Sequence, residues 1–127
     1  MWVSLADENL IEHYKRNFHP DYTDETPELI VSLLEKLSKK TYAEKLSVVT
    51  SVGQLYLTTA LSWNETSDNN IVRIDQRKDA GNPVLLISFT KGSLNKSVAG
   101  RYCSLEEAIE YIDLYVMRLI LEKDGEI

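Results

Sequence analysis

The chain has 127 residues with a formal net charge of −6; 43% of its residues are hydrophobic and 27% are charged. That length and balance suit one globular domain and exclude a collagen-like repeat, a coiled-coil rod and wholesale disorder. No apolar run approaches the ~18 residues that a membrane span needs, and a single cysteine, Cys103, excludes an internal disulfide.

The opening Met1-Trp2-Val3-Ser4-Leu5-Ala6-Asp7-Glu8 lacks a basic leader region and meets acid at once. No secretory signal is expected there, and the cytosol is the expected compartment. Ser4 with Asp7 resembles a capping box, and Leu10, Ile11, Tyr14 and Phe18 recur at helical spacing until His19-Pro20. A first helix is predicted over about residues 5–18. Thr26-Pro27 is a start signal for a second, whose stripe of Leu29, Ile30, Leu33, Leu34 and Leu37 ends at Lys39-Lys40. Thr41 and Glu44 form another capping box, so a third helix is expected to open there. Its extent is ambiguous, because Val48, Val49 and Thr50 are β-branched and Gly53 interrupts.

From Gln54 the pattern alternates, with Leu55, Leu57, Leu61 and Trp63 on one parity. This predicts a strand over 54–63, with a helix reaching residue 62 as the alternative. Residues 71–77 read as a strand, 78–82 as a hairpin loop, and Val84 to Thr90 as a nearly continuous apolar strand, central in its sheet. Ser97 to Cys103 reads as a shorter strand. Ser104 and Glu107 form a third capping box, and Leu105, Ala108, Ile109, Ile112, Tyr115, Val116, Leu119 and Ile120 sustain a helix over about 104–122. Tyr111, Leu114, Met117 and Leu121 lie outside its main stripe. That helix is therefore expected between the sheet and the N-terminal helices, with a dimer or partner face as the alternative. The order predicts a single α+β domain over 1–127. It has two or three N-terminal helices, a mainly antiparallel sheet of three or four strands, and a long C-terminal helix.

No motif for catalysis emerges. The only histidines, His13 and His19, are six apart, off the spacing that aligns two ligands on one helix face, and no Cys-x-x-Cys or calcium loop is present. Neither a metal nor another cofactor is expected. Cys103, just before a helix start, is read as a small residue at a strand end; a small enzyme using it is the alternative. Arg73, Arg77, Lys91, Lys96 and Arg101 would give a basic sheet face, but stacking aromatics are missing from that reading and the net charge opposes nucleic acid. Residues 104–127 carry 7 acidic and 2 basic side chains, against 4 and 6 in residues 51–103. An acidic terminal element favours a basic protein partner.

In size, acidity, single cysteine and the ending Tyr102-Cys103-Ser104-Leu105-Glu106-Glu107-Ala108-Ile109-Glu110-Tyr111-Ile112, the chain resembles bacterial toxin-immunity proteins, including those of contact-dependent inhibition. The resemblance implies a non-enzymatic inhibitor that covers the cationic active site of a toxin, most simply a nuclease. No functional residue carries over from it. Glu106, Glu110 and Asp113, which share one helical stripe, are the expected contacts, with Tyr111 and Trp63 as aromatic anchors. The chain is expected to bind neither nucleic acid nor membrane, and to be a monomer or homodimer. The competing readings are a secretion-type chaperone and a phage-encoded inhibitor.

Overall fold

The first element is a short strand, Trp2–Ser4, ahead of the helix that the sequence predicts from about residue 5. The computed structural model describes residues 2–17, 27–51, 54–59, 71–91 and 96–123. In it, β1 (Trp2–Ser4) pairs antiparallel with β2 (Ser47–Ser51), Val3 lying opposite Val48. Buried Leu5 extends the ladder, its N–H donating to the Leu46 carbonyl at 2.9 Å. The Ser4 hydroxyl accepts from the Ala6 N–H, and the Asp7 carboxylate accepts from the Asn9 N–H at 2.8 Å. These local turns use the residues of the expected capping box, so α1 starts only at Leu10 and runs to Asn17.

The second helix, α2 (Glu28–Leu37), follows its predicted stripe, and Ile30, Leu33, Leu34 and Leu37 are buried. Thr26 lies outside the described residues, and Pro27 occupies the N-cap without a capping side chain of its own. The cap comes from 47 residues away: the Leu29 N–H donates to the Gln76 side-chain oxygen at 3.0 Å. Gln76→Ala should leave that N–H without its acceptor. The expected loss is about 1 kcal/mol of stability, read as a melting point lowered by roughly 3–6 °C. An unchanged melting point would mean that water caps α2 equally well.

Beyond α2, the helix expected from Thr41 is a single 3-10 turn, Ala43–Lys45, and the chain then enters β2. The β-branched Val48, Val49 and Thr50 decide this: Val48 and Val49 pair on both sides, with β1 and with β3 (Gln54–Thr58), and Thr50 pairs with Leu55 of β3. Two ladders outweigh a helical turn that Gly53 would soon interrupt. Residues 54–58 are strand as predicted, and not the alternative helix. Thr59 is a buried bend rather than strand, and residues 60–63, Trp63 among them, fall outside the described residues.

β4 (Ile71–Asp79) and β5 (Asn82–Lys91) are longer than predicted and meet at a two-residue turn. Ala80 at φ 51° and Gly81 at φ 85° give the left-handed pair that a tight hairpin requires. β6 (Lys96–Cys103) completes the meander, with a register shift between Phe89 and Thr90. The described strands form one sheet in the order β1-β2-β3-β4-β5-β6, antiparallel throughout. Six strands replace the expected three or four, the additions being β1 and β2.

The last helix, α3 (Leu105–Lys123), begins with the predicted capping box. The Ser104 hydroxyl accepts from the Glu107 N–H at 3.3 Å, and the Glu107 carboxylate accepts from the Ser104 N–H at 3.4 Å. α3 packs on β4, β5 and β6, while α2 lies beside it on β4 and β5 and α1 packs on α2. Ala108, Ile112, Val116 and Leu119 join Leu57, Val72 and Phe89 in one core between helices and sheet. α3 is thus covered by the sheet and flanked by α2, but its outward face, with Leu114 and Met117, is exposed, which corrects the expectation that it lies buried between the sheet and the N-terminal helices.

Candidate partner-binding surface

The face of α3 turned away from the core is exposed and mixed in character. Leu114 and Met117 are 66% and 63% accessible, the exposed large hydrophobic residues among those described. Glu106, Glu107 and Glu110 are exposed on the turns just before them, and Arg118 is exposed just after. Helical spacing places Glu110, Leu114, Met117 and half-buried Leu121 in one row. The sequence marks this second apolar stripe but not its exposure, because the width of an apolar face does not distinguish a covered face from an uncovered one.

Asp113 belongs to the predicted acidic stripe but is already engaged. Its carboxylate accepts from the Lys40 ammonium at 3.2 Å and from the Tyr42 hydroxyl at 2.6 Å. Burial first, and then the bond to Asp113 and its charge, push the Tyr42 hydroxyl well above the ordinary tyrosine range. Asp113 thus ties α3 to the connector that follows α2, and Glu106 and Glu110 are the members of the stripe that face solvent. Tyr111 is half-buried against the core with its ring 6.4 Å from that of Tyr115, which in turn lies 5.7 Å from Phe89. The Arg118 guanidinium sits 5.1 Å above the Phe89 ring.

A second acidic region lies where α1 begins and α2 ends. Asp7, Glu8, Glu35 and Lys39 line a cleft of about 230 Å³ together with Leu10 and Ile11. His13 is near it, its Nε2 3.9 Å from the Asp7 carboxylate; His19 falls outside the described residues. Cys103 pairs through its backbone with Leu85 at the end of β6, on a different element from His13. Among the described residues no three His, Cys, Asp or Glu side chains are grouped to hold a metal ion.

The sheet face opposite the helices carries what the sequence could not reveal. Register places Trp2, Val49, Tyr56, Arg73 and Ser88 in one row across β1 to β5. Two aromatic residues therefore share the row of Arg73, although the sequence reading found none beside it. The cation is not free, however. Its Nε lies 3.0 Å from the carboxylate of Asp75, whose side chain is only 8% exposed. Tyr56 is raised above its ordinary pKa by burial, with Arg73 lowering it and Asp75 raising it. Arg101 stands opposite Ile87, a register position away from this row. Of the expected basic residues, Arg77 shares the parity of Arg73 on β4, whereas Arg101 does not share its row.

No known family model, curated protein or solved structure matches the chain. No helix among the described residues is long and apolar enough to cross a membrane.

Proposed function

We propose that the chain is a protein-binding domain that neutralises a basic partner in the cytosol, as the toxin-immunity proteins it resembles do. The carrying observation is the exposed face of α3, where Leu114 and Met117 follow directly on Glu106, Glu107 and Glu110. Accessible apolar side chains beside exposed acids suit an interface: the former supply desolvation at its centre, the latter orientation and approach. A nuclease toxin is cationic because it holds phosphates, so an acidic surface is drawn to the site that it must cover. The rigid capping box and the Asp113 contacts hold α3 in place, so little ordering cost is expected on binding.

The test is protection of growth against a basic nuclease encoded beside this chain. Leu114→Ala combined with Met117→Ala keeps helix propensity and removes the anchors. At hot-spot cost, at least about 2 kcal/mol, toxin affinity should fall by roughly 30-fold or more and protection should fail. Unchanged affinity would place the interface elsewhere; a wild-type chain that binds no basic nuclease would end the reading.

A further inference from the structure

We propose that the same face of α3 pairs with its counterpart on a second copy of this chain, as an antiparallel helix pair with its two-fold axis at Leu114. This inference does not depend on the toxin reading. The face has a seven-residue repeat: Glu107, Leu114 and Leu121 form one row, and Glu110 and Met117 another three residues on. That is the spacing at which one helix seams against another. The row is uncovered at its centre, where Leu114 and Met117 are 66% and 63% exposed.

The charges identify the occupant. Glu110 lies four residues before Leu114 and Arg118 four residues after it, and both are exposed. A two-fold axis at Leu114 sets each Glu110 against the Arg118 of the other copy, and each Leu114 against its own mate. Met117 then meets Tyr111 of the other copy, a thioether against an aromatic ring. The Arg118 guanidinium itself already lies over the Phe89 ring at 5.1 Å, so its position is fixed before the pair forms. The match is self-complementary, which an isologous contact requires. A parallel arrangement about Leu114 would set Glu110 against Glu110 and Arg118 against Arg118.

The seam from Glu107 to Leu121 is short, about 21 Å at 1.5 Å per residue. One helix face of that length stays below the roughly 1,200 Å² of stable complexes, so the pair is weak and concentration-dependent. Self-pairing and toxin binding exclude each other, and a tighter basic partner displaces the second copy.

Sedimentation of the purified chain between about 10 µM and 1 mM tests this, the mass rising from 14.5 kDa toward twice that value. Leu114→Glu should weaken association at least about 30-fold, as buried anchors do. Glu110→Arg and Arg118→Glu should each weaken self-association about tenfold, because each sets like charges face to face. An equimolar mixture of those two variants should recover wild-type association within about threefold, since every charge in the mixed pair again meets its opposite. Circular dichroism melts identify any variant that fails to fold; if Leu114→Glu does, Leu114→Gln replaces it. A wild-type chain that stays monomeric at 1 mM overturns the proposal. So does a mixture that associates no better than either variant alone.

Discussion

Phe89→Ala should destabilise the protein by about 3–5 kcal/mol, the range for truncating a well-packed phenylalanine. Phe89 is 2% exposed and belongs to the core that helices and sheet share. Its ring meets Tyr115 on α3 at 5.7 Å and carries the Arg118 guanidinium at 5.1 Å. Truncation removes buried area, leaves a cavity under α3, and deletes both ring contacts. Those contacts contribute about 0.5–1.5 kcal/mol for the aromatic pair and about 0.5–1 kcal/mol for an exposed cation. Typical domains hold only about 5–15 kcal/mol in total, so the melting point should fall by more than 10 °C. Urea unfolding followed at 222 nm provides the measurement. Phe89→Leu, which refills most of the cavity, should recover over half of the loss. A loss below about 1 kcal/mol for Phe89→Ala would mean that α3 does not rest on this ring.

How legible the fold was depended on the range of the interactions that decide each element. The start of α3 was readable because its capping box is local, Ser104 and Glu107 satisfying each other within one turn. The β4–β5 hairpin was readable because alternation and the Gly81 turn are local too, although Ala80 at positive φ hid how tight that turn is. β1 is three residues long and owes its existence to pairing with β2, 45 residues away, so no pattern within residues 2–8 could disclose it. At residues 47–51 the same hydrophobic spacing fits a helix or a strand, and flanking ladders settled it.

The candidate surface divides in the same way. Glu106 and Glu110 were recognisable as a solvent stripe from spacing alone. Asp113 was not separable from them, because Lys40 and Tyr42 are more than 70 residues distant in the chain. Parity placed Tyr56 on one side of β3 and Arg73 on one side of β4. Only the pairing register, Tyr56 opposite Arg73, set the two side by side.

Replacing Glu106 and Glu110 together by glutamine should slow association with a basic nuclease by about tenfold at low salt, with a smaller effect on dissociation. Both residues are exposed, and the change preserves shape and helix propensity. Asp113 is left intact, because Asp113→Asn would disturb its contacts with Lys40 and Tyr42 and confuse a loss of steering with a loosening of α3. The two effects of Glu110 must also be kept apart. Its replacement weakens the helix pair, which would raise the monomer fraction and speed association. At about 1 µM chain, far below the concentration at which a contact this small persists, the pair is dissociated and steering alone is read. The gap between wild type and variant should close as ionic strength rises from about 0.01 to 0.15 M, where the screening length falls from about 30 to 8 Å. Equal association rates at every ionic strength would remove these carboxylates from the encounter. Attention would then shift to the cleft lined by Asp7, Glu8 and Glu35 as the acidic surface that meets the partner.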